Sequence, residues 1–228
     1  MKIIHQIAFA ATLTSYFSAA IAADTNSKSI SQIKLPAEKA CSVITAEEST
    51  KLGLIKQLLL DGKPHAAIAH LDAAKIKNEQ AELLRANGLR QTGRAAQAQA
   101  IYQQLVTSCV AGHAYRGLGL IASQAGNQQE ALRYIEVASR ALPTEYSIRN
   151  DLGYVLMQSG NYEPALHEFL TALELAPDYR QAANNLIVLL YRQGEPAKAE
   201  AFAKKFGIVA EELQQLKKLT QASNQALP

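Results

Sequence analysis

Five glycines recur along this chain at nearly constant spacing, and each is followed five residues later by an alanine. Consecutive glycines are 31, 33, 34 and 34 residues apart. A period of about 34 residues with small residues in constant phase is typical of stacked helical hairpins. Such a stack buries its core between neighbouring repeats and offers one continuous face to a partner. The pairs are Gly62 and Ala67, Gly93 and Ala98, Gly126 and Ala131, Gly160 and Ala165, and Gly194 and Ala199.

The composition favours helices and argues against a nucleic-acid partner. Hydrophobic residues make up 48% of the 228 positions, Trp is absent, and aromatic residues account for 6%. Ala, Leu, Gln and Glu are abundant, and these residues lose little conformational freedom in a helix. The formal charge of +3 is spread without a dense basic run, so we expect no binding to nucleic acid.

The first 22 residues have the features of a signal peptide. Lys2 supplies a positive charge, an apolar stretch follows, and small residues surround Ala22, where we expect cleavage. An uncleaved membrane anchor is the alternative, although the apolar stretch is short for a membrane span. The first cysteine, Cys41, lies far beyond that stretch, so acylation is not expected. These features predict an exported, periplasmic protein that is not a lipoprotein and is not inserted in the membrane after cleavage.

The rest of the chain divides into a flexible leader at residues 23–47, a repeat domain at 48–222 and a tail at 223–228. The leader is polar and contains Pro36, with little periodic apolar content. The two cysteines of the chain are Cys41 and Cys109, and an even count in an exported protein permits one disulfide. Such a bridge would close a loop of roughly 70 residues and stabilise the fold by about 4 kcal/mol. Two buried free thiols are the alternative.

The clearest repeat spans residues 146–179. Its apolar residues fall at three- and four-residue intervals, which predicts two amphipathic helices separated by Gly160. Pro164 lies in the first turn of the second helix, where a missing N–H is tolerated. The pattern resembles the tetratricopeptide repeat, whose signature places Leu-Gly, Ala, Phe, Ala and Pro at fixed positions. The matching residues are Leu152, Gly153, Leu156, Gly160, Ala165, Phe169, Ala172 and Pro177.

That resemblance implies an all-α fold, a right-handed α-solenoid of about five helix-turn-helix repeats with a C-terminal capping helix. Residues 112–145 carry a second strong match, and the three outer copies are weaker, as is usual for terminal repeats. We predict the capping helix at Ile208–Ala222, with Val209, Leu213 and Leu216 on its packing face.

In the tetratricopeptide repeat, the first helix of each pair lines a concave groove that can hold a peptide. Asn150 and Asn184 are 34 residues apart and are expected to stack on that face, where carboxamides suit a peptide backbone. The alternative is that these side chains only pack or contact solvent. Carrying the register onto this chain gives the candidate groove residues Asn87, Arg90, His113, Arg116, Asn150, Tyr154, Met157, Gln181, Asn184, Tyr191 and Arg192.

The sequence contains none of the motifs that indicate catalysis, phosphate binding or cysteine-based metal binding. His65 and His70 are five residues apart, about 140° around a helix, and therefore do not share one face. We accordingly predict no catalytic residue, no metal site and no cofactor.

Three stretches resemble the TadD proteins of tight-adherence (Flp) pilus systems: Arg149–Tyr154, Leu170–Leu175 and Ala182–Leu186. TadD proteins are exported repeat proteins that serve assembly of the outer-membrane secretin and its pilus. The resemblance implies a non-catalytic adaptor whose partner is a secretin, a pilin or another pilus or secretion component. Many TadD proteins are lipoproteins, and the missing lipidation cysteine here favours a co-chaperone or docking role over direct escort of a secretin. The alternatives are a repeat factor for cytochrome c maturation or other envelope assembly, and a permanent structural subunit of an envelope complex.

Overall fold

A computed structural model describes residues 39–225 of the chain, with side chains as far as residue 220. The predicted signal peptide, most of the predicted leader and the last three residues lie outside this part. Within residues 39–225 the chain forms eleven α-helices and no strand. They are α1 (Ala46–Leu60), α2 (Pro64–Ala74), α3 (Glu79–Gln91), α4 (Ala95–Leu105), α5 (Ala111–Gln124), α6 (Gln128–Ala141), α7 (Tyr146–Gln158), α8 (Tyr162–Leu175), α9 (Arg180–Arg192), α10 (Pro196–Lys205) and α11 (Ala210–Gln225).

The predicted arrangement of five helix pairs followed by a capping helix is confirmed. The periodic glycine of each pair lies in the turn between its two helices and has a positive φ, for example +76° at Gly160. In that turn the backbone N–H of Asn161 donates a hydrogen bond of 2.9 Å to the backbone carbonyl of Leu156. The same bond closes the other four turns, because glycine reaches the left-handed region without steric cost.

The small residues of the repeat allow the two helices of a pair to pack closely. A Cβ added at Gly153 would lie only 2.7 Å from the ring of Phe169, and one at Gly119 would lie 2.6 Å from Ile135. Phe169 and Ile135 are fully buried in the core. The absence of a side chain on the first helix therefore makes room for a large apolar side chain on the second.

The first helices of successive pairs form a continuous layer: α1, α3, α5, α7 and α9 each contact the next in order, and α11 packs on α9. Among the described residues, no two second helices come into comparably extensive contact. The first helices therefore approach one another more closely than the second helices do, which makes their layer the concave side of the stack.

The predicted boundary of the flexible leader at residue 47 is wrong, because residues 41–47 are already held in the fold. Cys41 is joined to Cys109 by a disulfide with a Cα–Cα distance of 5.1 Å. The Ser42 hydroxyl donates to a carboxylate oxygen of Glu79 at 3.0 Å. Helix α1 begins at Ala46, two residues before the predicted boundary, since Thr45 and Glu48 form a reciprocal capping box there.

The capping helix α11 covers the end of the first-helix layer. Leu216 is buried against the core that α9 contributes, whereas Val209 is 59% exposed and does not belong to the predicted packing face. The error arises because α11 begins only at Ala210, so Val209 precedes the helix and does not share its periodicity.

None of the helices within residues 39–225 combines the length and apolarity needed to cross a membrane.

Candidate peptide groove

A shallow depression of about 250 Å³ opens on the first-helix layer between α5, α7 and α9. Two of its lining side chains, Leu120 and Tyr154, are apolar or amphipathic, and most of the others carry hydroxyl or carboxamide groups. Such groups can both donate and accept hydrogen bonds, as the backbone of an extended peptide requires. The lining residues are Leu120, Ser123, Gln124, Asp151, Tyr154, Gln181 and Asn185.

A chain of polar contacts runs through the floor of this depression from α5 to α9. Arg116 Nε donates to Asp151 Oδ2 at 2.6 Å, and the Asp151 side chain is only 7% exposed. Asn150 Nδ2 lies 3.4 Å from the other oxygen of Asp151. Asn185 Nδ2 then donates to Asn150 Oδ1 at 2.8 Å. We call these four residues the polar ladder; it connects three successive first helices beneath the groove.

The ladder places a fixed ion pair next to a neutral phenol. Burial disfavours the charge of Arg116, but Asp151 more than offsets it, so the pKa of Arg116 lies above its ordinary value. Burial raises the pKa of Tyr179 to about 12, and the nearby Asp151 carboxylate adds to this shift. At neutral pH the Tyr179 hydroxyl is therefore protonated, and it donates to Gln181 Oε1 at 3.0 Å.

Two of the predicted groove residues are wrong: Asn150 is fully buried and Met157 is 2% exposed, so neither can meet a ligand. Asn150 occupies the fifth position of its repeat, and the fifth position faces the next repeat rather than the groove. It bonds to Asn185, so the expected stack of Asn150 on Asn184 does not form. Asn184 instead donates to Glu212 of the capping helix at 2.9 Å.

The structure brings Tyr154 and Gln181 to the depression as lining residues, with Tyr154 39% exposed. Two other predicted residues lie toward the C-terminal end of the layer. The ring of Tyr191 lies 5.9 Å from the Lys217 ammonium group, and Arg192 donates to Gln158 at 3.3 Å. A role for these two side chains in ligand binding stays a prediction.

The remaining predicted residues lie on α3 and α5. The Tyr102 hydroxyl donates to Asn87 Oδ1 at 2.6 Å, and the charge of Arg90 acts on the same hydroxyl. Burial lowers the pKa of His113, and the positive charges of Arg116 and Lys56 lower it further against the opposing effect of Glu145. His113 is therefore neutral at pH 7.

The sequence reasoning missed Ser123, Gln124, Asp151 and Asn185, which line the depression. Asp151 and Asn185 both occupy the sixth position of their repeats, directly after Asn150 and Asn184. The pattern that could have found Asp151 and Asn185 is the pair of polar residues at positions five and six in both repeats.

Among residues 39–225, no group of three or more His, Cys, Asp or Glu side chains is arranged to hold a metal ion.

Comparisons with known proteins agree with this architecture. The family description "Tetratricopeptide repeat" matches residues 83–146 and 150–206. The TPR repeat-containing protein PA4299 of Pseudomonas aeruginosa is 33% identical over 172 residues, which cover 73% of this chain and 68% of that protein.

Two solved structures resemble the fold. MamA 41-end from Desulfovibrio magneticus RS-1 matches with a TM-score of 0.51 at 15% identity, covering 77% of this chain and 98% of that one. A mutant O-GlcNAc transferase of Thermobaculum terrenum matches with a TM-score of 0.54 at 27% identity, covering 56% of this chain. This chain spans only 25% of the transferase, and the likeness to MamA concerns the fold alone. The chain belongs to the tetratricopeptide repeat family, and its fold is that of a protein–protein interaction scaffold.

Proposed function

We propose that this protein is a non-catalytic, exported adaptor that binds an extended segment of a protein partner in the groove between α5, α7 and α9. The observation that carries the proposal is the lining of the depression, in which hydroxyl and carboxamide groups surround the exposed ring of Tyr154. Carboxamides match the alternating donors and acceptors of a peptide backbone, and a partly exposed tyrosine offers a rigid contact surface.

The polar ladder supports this role because its charges are satisfied within the protein. Arg116 and Asp151 neutralise each other in the floor, so a ligand does not need to bring a compensating charge to this part of the groove. The ladder also fixes the spacing of three first helices, which keeps the lining groups in place before a ligand arrives. Such preorganisation lowers the entropic cost of binding.

The partner that we propose is a secretin, a pilin or another component of a Flp pilus or secretion system. The support is the resemblance of Arg149–Tyr154, Leu170–Leu175 and Ala182–Leu186 to TadD proteins. A periplasmic location is supported by the apolar N-terminal stretch that precedes Ala22 and by the pairing of Cys41 with Cys109.

A pull-down from periplasmic extract with mass spectrometry tests the proposal. Tyr154→Ala combined with Gln181→Ala removes two exposed groove side chains and should abolish capture of the partner. The matched control is His167→Ala combined with Gln129→Ala, which removes an exposed ring and an exposed carboxamide from the second helices α8 and α6. The control should capture as well as the unaltered chain.

The identity of the captured protein separates the candidate partners. A secretin or pilin supports the pilus role, whereas cytochrome-maturation components would replace that role while leaving the groove intact. Equal loss of capture in both double variants would overturn the groove as the docking site.

A further inference from the structure

Gln181 and Asn185 lie one turn apart on α9, and both line the depression. Residues four apart on a helix have neighbouring side chains, with about 5–6 Å between their Cβ atoms. Each of these two carboxamides has one end engaged by another side chain of the protein. The engaged ends are opposite in kind, so the pair leaves one donor and one acceptor for a ligand.

The orientation of the Asn185 carboxamide follows from the charge of Asp151. A carboxylate can only accept hydrogen bonds, so Asn150 turns its Nδ2 toward Asp151, at 3.4 Å. Its Oδ1 is thereby left to accept from Asn185 Nδ2 at 2.8 Å. Asn150 is fully buried and cannot turn over without placing its oxygen against the carboxylate. The nitrogen of the Asn185 carboxamide is therefore held by Asn150, and its Oδ1 is left for a ligand.

The oxygen, and not the nitrogen, is the engaged end of the Gln181 carboxamide. The Tyr179 hydroxyl donates to Gln181 Oε1 at 3.0 Å. The Tyr179 ring is itself held by Tyr146, whose ring packs edge-on with 4.7 Å between the centroids. In the part of the chain that the structure describes, no hydrogen bond engages Gln181 Nε2 or Asn185 Oδ1.

We infer that Gln181 and Asn185 form a two-point clamp that holds the backbone of an extended partner segment by one edge. Gln181 Nε2 donates to a backbone carbonyl of the segment, and Asn185 Oδ1 accepts from a neighbouring backbone N–H on the same edge. Carbonyl and N–H groups alternate along each edge of an extended chain, which a fixed donor next to a fixed acceptor matches. The inference rests on the proposed groove and specifies how the groove binds its ligand.

The clamp determines which segments fit. Proline has no N–H, so the residue that meets Asn185 cannot be proline, and a polyproline segment satisfies only the Gln181 half. Both contacts are to backbone atoms, so they do not depend on the side chain of the bound residue. The clamp therefore selects an extended segment with a free N–H, and Tyr154 in the same depression is left to contact the side chains of that segment.

The direct test follows the side-chain NH₂ signals of Gln181 by ¹H–¹⁵N NMR in the ¹⁵N-labelled full chain, with Gln181→Glu identifying the signals. The probe is a capped hexapeptide of alternating Ser and Val, and the control probe carries a methyl group on every backbone nitrogen. The first peptide should shift the Gln181 signals in a saturable manner, and the methylated peptide should bind about tenfold more weakly because it cannot donate to Asn185. No shift from the first peptide, or equal affinity of the two, would overturn the inference.

Tyr179 acts on the ligand only through Gln181, which a cycle of single and double variants measures by fluorescence anisotropy with the same hexapeptide. Gln181→Ala should weaken binding about tenfold and Tyr179→Phe about threefold. The two changes together should weaken binding no more than Gln181→Ala alone, because Tyr179 then has no carboxamide to hold. Tyr162→Phe, which removes a hydroxyl from the second helix α8, is the control and should leave binding unchanged. Additive losses in the double variant would overturn the orientation of Gln181 that the clamp requires.

The outcome is separable from that of the groove proposal. If partner capture is lost in Tyr154→Ala but kept in Gln181→Ala, the groove stands and the clamp fails. If capture survives the two changes combined, the groove proposal itself fails.

Discussion

Arg116 on α5 and Asp151 on α7 lie 35 residues apart in the sequence and meet at 2.6 Å in the floor of the groove. The same step from position five of one repeat to position six of the next recurs between Asn150 and Asn185. A repeat protein is stabilised mainly by its intrinsic repeats and by the interfaces between neighbours. These polar contacts therefore contribute at the interfaces where the stack is held together.

Loss of the Asp151 carboxylate should destabilise the fold. Asp151→Asn leaves the guanidinium of Arg116 partly buried without a counter-charge, and we expect a loss of about 1–3 kcal/mol in the free energy of unfolding. The measurement is urea unfolding followed by circular dichroism. Asp72→Asn, which breaks an exposed ion pair with Arg85, is the control and should cost less than about 1 kcal/mol. Equal losses of unfolding free energy in the two variants would show that the buried ion pair stabilises the fold no more than the exposed one.

Asn150→Ala tests the corrected position of that side chain. Because Asn150 is fully buried and bonded to Asn185, its removal should cost about 1–3 kcal/mol by leaving polar groups unsatisfied. A groove residue would behave otherwise, since its loss would weaken partner binding and leave the melting temperature unchanged. A variant that melts normally but no longer binds would restore the sequence-based prediction.

Two glycines on first helices should respond to alanine with opposite sign. Gly153→Ala places a Cβ 2.7 Å from the buried Phe169 ring and should cost about 1–3 kcal/mol through overpacking. Gly53→Ala meets nothing within 4 Å on helix α1 and should stabilise by about 0.5–1 kcal/mol through helix propensity. Thermal melts of the two variants check the difference. An unchanged melting temperature for Gly153→Ala would mean that the two helices of the pair separate more easily than their packing implies.

Removal of the disulfide should loosen the N-terminal repeats selectively. Cys41→Ala with Cys109→Ala releases the segment before α1 from the turn before α5, at a cost of about 2–4 kcal/mol. Hydrogen exchange followed by mass spectrometry should show lost protection in α1–α4 while α7–α10 keep theirs. Uniform loss over all helices would indicate that the stack unfolds as one cooperative unit and not repeat by repeat.

Alkaline pH should weaken the fold through the half-buried phenol of Tyr179. Its pKa is raised from 10 to about 12 in the folded state, so the unfolded chain loses this proton first as pH rises. Stability from the neutral phenol is present below pH 10 and is lost between pH 10 and 12, with a slope of about 1.4 kcal/mol per pH unit. Tyr179→Phe removes the titrating group and should flatten this part of the curve. Identical curves for the two proteins would mean that the phenol is not protected by the fold.

The helix pairs could be predicted from the sequence because a turn is a local feature. Gly160 ends one helix through its own backbone conformation, and the alanine five residues later marks the packing face of the next. The direction in which individual side chains point could be predicted less well than the helix pairs. One residue along a helix rotates the side chain by about 100°, which separates the fully enclosed Asn150 from Asp151 in the floor of the groove. Pairs such as Arg116 with Asp151 depend on how two helices 35 residues apart are rotated, which a pattern within one repeat does not encode.

We propose that a protein partner docks in the depression between α5, α7 and α9. Photo-crosslinking tests this directly: a photo-reactive amino acid is incorporated at position 154, 181 or 167 of the full chain in cells that produce it. Positions 154 and 181 lie in the groove, whereas His167 is exposed on the second helix α8. We expect one shared protein product from positions 154 and 181, identified by mass spectrometry, and none from position 167. A product from position 167 alone, or the same product from all three positions, would rule out the groove as the docking site.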